Sequence, residues 1–168
     1  YYRLGEYQTA IFDFNKAIEL DPDYALAYHN RGSAHEKLGQ YQNAINDYTK
    51  AIQLDPDYAT TYTNRGASYY NLGQYQTAIN DYTKAIQIGG DYDAIAYNNR
   101  GEAYRSLGQT ANANADDARA CSLDSMLCVI VVTPTFTPRP TPTNTPWPTV
   151  TPNASSYFSK GREYYQAG

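Results

Sequence analysis

Apolar side chains recur along this chain on helical spacings. Between 41 and 52 they fall at Tyr41, Ala44, Ile45, Tyr48, Ala51 and Ile52. These are steps of 3, 4, 7, 10 and 11, which gather on one face of an amphipathic helix. Upstream, Tyr28, Gly32, Ala34 and Leu38 fit a second helix, with small residues where two backbones approach closely. Gly39-Gln40 marks the turn between them. Asp55-Pro56 ends the later helix, because Pro56 has no N–H to donate and restricts the residue before it. Asp57 is then the expected cap of the helix that follows.

The pattern is written more than once. Residues 38–58 and 72–92 share seventeen of twenty-one paired residues at an offset of 34. Three stretches, 25–58, 59–92 and 94–127, align on Gly32, Gly66 and Gly101, and a partial copy occupies 1–24. The step from Gly66 to Gly101 is 35, and the extra residue falls near 89–93. In the third unit Asn114 stands in register with Ile45 and Ile79, and Asp117 with Tyr48 and Tyr82. Stacked repeats need polar outer faces at their ends, so 110–123 is expected to be a terminating helix, with sequence drift as the alternative. Both ends of the chain look cut: "YYRLGEY" reads as the end of one helix and the start of another, and "EYYQAG" has the same look.

These residues resemble the tetratricopeptide repeat, a 34-residue helix–turn–helix with an aromatic, a small residue, then Tyr, Ala, an aromatic, Ala and Pro. The matching positions are Tyr28, Gly32, Tyr41, Ala44, Tyr48, Ala51 and Pro56; then Tyr62, Gly66, Tyr69, Tyr75, Ala78, Tyr82 and Ala85, with Gly90 in place of Pro; then Tyr97, Gly101, Tyr104, Ala113 and Ala120. The resemblance covers roughly residues 1–127 and implies an all-α fold: a right-handed α-solenoid of about three and a half repeats. Arg31, Arg65 and Arg100 depart from it, standing where the family favours an apolar residue; their stems are expected to pack while their heads reach the surface.

Beyond the repeats come a short apolar segment, 128–132, and a run at 133–152 with eight Thr and seven Pro. That run is expected to be a disordered, extended linker, near polyproline II. It resembles the Thr-Pro linkers of bacterial surface and secreted proteins, which favours an extracytoplasmic or cell-surface setting. In 153–168, Tyr157, Gly161 and Tyr164 repeat the spacing of Tyr62, Gly66 and Tyr69, so this segment reads as the lone first helix of a further, truncated repeat. Cys121 and Cys128 are the only cysteines. On a continuous helix they stand about 10 Å apart, too far to bridge. A disulfide requires the helix to end near Leu123 and the chain to fold back; otherwise the pair are two buried small hydrophobes.

Composition narrows the functions. Residues 1–127 hold 10 basic and 16 acidic side chains, a net of −6 that offers no footprint for nucleic acid. No apolar run approaches the about 18 residues of a membrane span. His35-Glu36 opens like a zinc-protease helix, but Gly39 sits where a second His is needed. His29 and His35 do not share a helical face, no Gly-rich phosphate loop appears, and no cofactor or metal is expected.

What remains is a surface. The first helix of each pair lines the concave side of such a stack. Its free stripe is His29, Ser33, Glu36 and Lys37; then Thr63, Ala67, Tyr70 and Asn71; then Asn98, Glu102, Arg105 and Ser106, with Asn30, Asn64 and Asn99 beside them. In the family the matching stripe holds peptides, and asparagines there grip peptide backbone. The resemblance therefore implies a non-enzymatic scaffold for a protein or peptide ligand. Two alternatives stand beside it: a regulatory or anchoring arm of a larger enzyme, and a cell-envelope spacer. Oligomeric state is left open by the sequence.

Overall fold

The computed structural model describes residues 2–89 and 94–128, with side chains from residue 5 onward. The expectations for the extra residue near 89–93, for 129–132, for the Thr/Pro run and for 153–168 fall wholly or largely outside the described residues. Those that are described form seven α-helices and no strand: α1 (Tyr2–Leu20), α2 (Ala25–Lys37), α3 (Tyr41–Leu54), α4 (Ala59–Asn71), α5 (Tyr75–Gly89), α6 (Ala94–Ser106) and α7 (Thr110–Leu123). Helices α2–α3, α4–α5 and α6–α7 pair as antiparallel hairpins. Each hairpin stacks on the one before it, α3 against α4 and α5 against α6, while α1 lies against α2. The result is an α-solenoid.

The hairpin turns follow from one glycine each. Gly39, Gly73 and Gly108 take φ of 71°, 75° and 74°, the left-handed region that glycine enters without a Cβ penalty. Gly39 N–H then donates to Glu36 O, and Gln40 N–H to His35 O, both at 2.9 Å. The same pair of bonds recurs at Gly73-Gln74 and Gly108-Gln109. They satisfy carbonyls that the end of a helix leaves bare.

The connection between hairpins differs from expectation. Asp57 does not cap α4, which begins after Tyr58 with no side-chain cap. Instead Asp55 Oδ1 accepts from Asp57 N–H at 3.3 Å, as Asp21 does from Asp23 N–H at 3.1 Å. The carboxylate on the Pro side thus organises the turn, and Asp57 serves as its donor.

Inside each hairpin a tyrosine ring lies on a glycine. Tyr48 and Tyr82 are 0% and 1% exposed. A Cβ built on Gly32 would stand 2.9 Å from Tyr48 Cε1, and one on Gly66 2.8 Å from Tyr82 Cε1. Glycine is therefore needed here for close approach between helices. Between repeats, Ala78, Ile79 and Tyr82 of α5 cluster with Ala103 of α6, flanked by Tyr69, Tyr70 and Tyr104.

Arg31, Arg65 and Arg100 do not send their heads to the surface. Each guanidinium forks onto a buried carboxylate sixteen residues later: Arg31 on Asp47, Arg65 on Asp81 and Arg100 on Asp116. The remaining nitrogen reaches back to the preceding repeat, donating to Asn15 Oδ1 (2.7 Å), Thr49 Oγ1 (3.1 Å) and Thr83 Oγ1 (3.0 Å). Each arginine also lies over an aromatic ring of its own helix, as Arg65 does over Tyr62 with its centre 5.6 Å from the centroid. A guanidinium presents several donors in a fixed plane, so one side chain ties three helices together.

Asp117 also departs from expectation. It stands where Tyr48 and Tyr82 stand, rings that lie on a glycine of their own hairpin, Tyr82 also meeting Ala103 of the next repeat, but Asp117 is buried within its own hairpin. Its Oδ1 packs 2.8 Å from where a Gly101 Cβ would be, the side chain is 3% exposed, and Oδ2 pairs with Arg105. Oδ1 has no partner among the described residues. The position of Ile45 and Ile79 also faces onward, Ile79 clustering with Ala103, and there Asn114 is exposed. Asp117→Tyr should restore the ring-on-glycine contact and remove an unsatisfied buried oxygen. The expected gain is about 1–3 kcal/mol in urea unfolding, the typical cost of such an oxygen.

After α7, Asp124 Oδ1 accepts from Met126 N–H at 2.9 Å and opens a 3₁₀ turn, Ser125–Leu127. The turn brings Cys128 back over Cys121 with Cα atoms 4.3 Å apart, and the two sulfurs are bonded.

Candidate functional site

Because adjacent first helices touch, α2 beside α4 and α4 beside α6, their outward sides form one continuous face. Its polar groups come from successive turns of each helix. Asn30, Ser33 and Glu36 of α2, Asn64 and Tyr70 of α4, and Asn98 and Asn99 of α6 are half-buried. Lys37, Asn71, Glu102 and Arg105 are exposed. An open groove of about 280 Å³ between α1 and α2 is lined by Tyr7, Ala10, Phe14, Asn30, Ser33, Ala34 and Lys37.

Two predicted members of the face belong elsewhere. His29 and Thr63 are each 7% exposed. His29 Nδ1 lies 2.9 Å from Thr61 Oγ1, and its ring is wedged 5.6 Å from Tyr48 and 5.0 Å from Tyr58, centroid to centroid. A four-residue step along α2 does not reveal that the next repeat covers one flank of the stripe, and His29 is on that flank. Thr63 holds the same position one repeat later. The third counterpart, Asn98, is half-buried.

Burial holds the His29 imidazole below its ordinary pKa of 6.5. The unfolded chain therefore takes up this proton first as the medium is acidified. The stability that neutral His29 contributes is present above 6.5 and is lost as pH falls from there through the lower folded value. In paired unfolding curves at pH 7.5 and 5, the native chain should lose more stability than His29→Gln. Equal losses would place the acid sensitivity elsewhere.

Several side chains of the face are held by internal bonds. Tyr48 Oη donates to Glu36 Oε2 at 3.0 Å, with Ser33 and Asn64 near that hydroxyl. Burial pushes the Glu36 carboxyl above the usual range, with the Tyr48 hydrogen bond opposing it. The Tyr70 and Ser106 hydroxyls meet at 3.3 Å, tying α4 to α6. Tyr70 also stands edge-on to Tyr75 at 5.2 Å. Asn71 Nδ2 turns back to Ala67 O at 2.9 Å. Arg105 is committed to Asp117. Lys37 is thus the basic residue of the stripe without a salt bridge among the described residues.

Sequence reasoning missed the Tyr82 hydroxyl. Burial raises its pKa strongly, followed by the nearby Glu102, Tyr70 and Glu36. The available signal was a mismatch between repeats: Glu36 and Ser33, which serve Tyr48, are replaced by Tyr70 and Ala67 beside Tyr82. Among the described residues no group of three or more His, Cys, Asp or Glu could hold a metal ion, and no helix is long and apolar enough to cross a membrane.

Stacked helical hairpins with a polar face along their first helices define a helical-repeat protein of the α-solenoid class. Family models make the class particular. The TPR repeat model matches residues 1–39 and 36–73, and two tetratricopeptide repeat models match 59–92 and 94–125. The chain belongs to the tetratricopeptide repeat family. Among curated proteins none matches it by sequence. Solved structures do. The crystal structure of MamA is 26% identical with a TM-score of 0.69, covering 72% of this chain and 70% of its own. The Arabidopsis OM64 TPR domain is 36% identical with a TM-score of 0.59, over 61% of this chain and 84% of its own. The first TPR of Spaghetti (RPAP3), bound to the HSP90 peptide SRMEEVD, is 32% identical with a TM-score of 0.59, over 60% and 79%.

Proposed function

We propose that this chain is a non-catalytic scaffold that holds a peptide segment of a partner protein along the concave, first-helix face. The observation that carries this reading is the row of half-buried polar side chains crossing three helices, Asn30, Ser33, Asn64, Tyr70, Asn98 and Asn99, on a surface that helix packing does not consume. Half-buried amides lose little freedom on binding and can pair with both N–H and C=O of an extended peptide backbone. The similar RPAP3 repeat is solved with a peptide bound, which supports peptide binding as the role of this fold here too. Its ligand SRMEEVD is acidic toward its end. On the present face Arg105 is already spent on Asp117, so an acidic peptide is a poor match.

Panning a random octapeptide library against the full chain tests the reading. Recovered peptides should weaken by about fivefold with Asn64→Ala, about one hydrogen bond's worth. Recovery of nothing, or of peptides indifferent to Asn64→Ala and Tyr70→Ala, contradicts it.

A further inference from the structure

We infer that the groove between α1 and α2 is a docking seat for an amphipathic helix of a partner protein, one that carries an arginine followed by a glycine. The arginine forks onto Asp13 and the glycine lies on the Phe14 ring. This goes beyond the concave-face reading and does not rest on it. The starting point is the place of α1 in the stack. Arg31 donates its third nitrogen to Asn15 of α1, as Arg65 does to Thr49 of α3 and Arg100 to Thr83 of α5. Toward the helix after it, α1 therefore stands as α3 and α5 do, as the second helix of a pair. Its sequence keeps the same register. Tyr7, Ala10, Asp13, Phe14 and Ala17 match Tyr41, Ala44, Asp47, Tyr48 and Ala51. In α3 and α5 these alanines, the aspartate and the central ring are buried against a first helix. In α1, Ala10, Phe14 and Ala17 are only half-buried and Asp13 is exposed. Asp47, Asp81 and Asp116 each hold an arginine, whereas Asp13 has no salt bridge among the described residues. The groove of about 280 Å³ has Ala10 and Phe14 on one wall and Ser33 and Ala34 on the other.

The sister hairpins specify the occupant. Each uses a first helix that carries Tyr-x-Asn-Arg-Gly, at 28–32, 62–66 and 97–101. Its arginine forks onto the aspartate of the second helix. In α2 and α4 its glycine admits the ring of Tyr48 or Tyr82 against the helix backbone. Tyr, Arg and Gly stand at steps of 3 and 4, the spacing by which a helix is read in a groove. Phe14 has no hydroxyl to satisfy, so this seat asks for apolar contact and one cation. Asp13 sets the sign of the charge: a guanidinium finds a carboxylate to fork onto, and an acidic group in the same register would be repelled.

Fluorescence polarisation on the full chain tests the seat. The probe is a labelled, Nα-acetylated and C-amidated peptide of residues 59–73, the chain's own α4 with its turn. Asp13→Asn in the chain should weaken binding about tenfold, the worth of a charged hydrogen-bonded pair. Asp13 is exposed, so the unfolding midpoint of this variant should stay near that of the native chain. A peptide with Arg65→Gln should bind the native chain about tenfold less well and lose nothing further on Asp13→Asn, since both changes remove one interaction. A peptide with Gly66→Leu should lose binding, although leucine is the better helix former, because its side chain meets the Phe14 ring. Equal binding of all three peptides, or indifference to Asp13→Asn, overturns the seat. Weakening by Asn64→Ala but not by Asp13→Asn would put the peptide on the concave face, which overturns the groove and leaves the peptide-binding reading standing. Absence of binding also overturns it. Sedimentation then separates a seat taken by a second copy, a dimer that Asp13→Asn dissociates, from a chain that stays monomeric.

Discussion

Tyr82→Ala should cost the array about 3–5 kcal/mol, the range for removing a buried aromatic ring. Tyr82 is 1% exposed, packs among Ala78, Ile79 and Ala103, and lies on Gly66. It therefore joins α5 both to its own hairpin partner α4 and to α6. In a quasi-one-dimensional stack the loss is local and then spreads through the interface with the neighbour. Urea unfolding followed by circular dichroism should show an earlier transition. Its slope should also fall if the third hairpin uncouples from the first. The companion substitution sharpens the expectation. Gly66→Ala in the native chain should cost about 1–3 kcal/mol, because the new Cβ meets a ring that has nowhere to move. In the Tyr82→Ala background the same change should be neutral, or stabilising by up to about 1 kcal/mol, since alanine is the better helix former. Equal costs in both backgrounds would show that ring and glycine do not meet.

The second large effect lies in the Arg65–Asp81 pair. Asp81→Ala should cost about 3–5 kcal/mol, because it leaves a largely buried guanidinium without its carboxylate. Thr49, which accepts from Arg65 at 3.1 Å, cannot replace a charge. The double substitution Arg65→Met with Asp81→Leu should cost far less than the sum of the single changes, since an apolar pair of similar volume has no charge left to desolvate. A chemical-denaturation cycle on the four chains measures the coupling. Additive losses would mean that the fork contributes little beyond its packed stems.

The features legible in the sequence were those set by local spacing. Tyr48 and Tyr82 announce themselves by their step from Tyr41 and Tyr75, and Gly39, Gly73 and Gly108 by their place after a helical run. Partners that cross a hairpin were not legible. Arg31 and Asp47 lie sixteen residues apart, on no shared helical face, and meet only because the turn at Gly39 folds one helix onto the other. A period search does contain the hint, since Asp47, Asp81 and Asp116 recur with the arginines, but recurrence alone does not say which residues touch. The same limit misplaced His29 and Thr63. A stripe on one helix shows which residues are free of that helix's own hairpin, not which of them the next repeat covers. Asp117 was read with Asn114 as part of a polar outer stripe for a related reason: the ring of its counterpart Tyr82 meets both its own hairpin and the next repeat, and the spacing does not reveal that a shorter side chain there reaches only the first.

The functional account turns on which side of the stack meets the ligand, and amide chemical-shift perturbation answers that directly. Isotope-labelled chain titrated with an octapeptide recovered by panning should show saturable shifts at Asn30, Asn64, Tyr70 and Asn99. Gln42, Asn46, Gln76 and Asn80, exposed on α3 and α5, should stay still. Shifts concentrated on α3 and α5, with α2, α4 and α6 unmoved, would contradict the account.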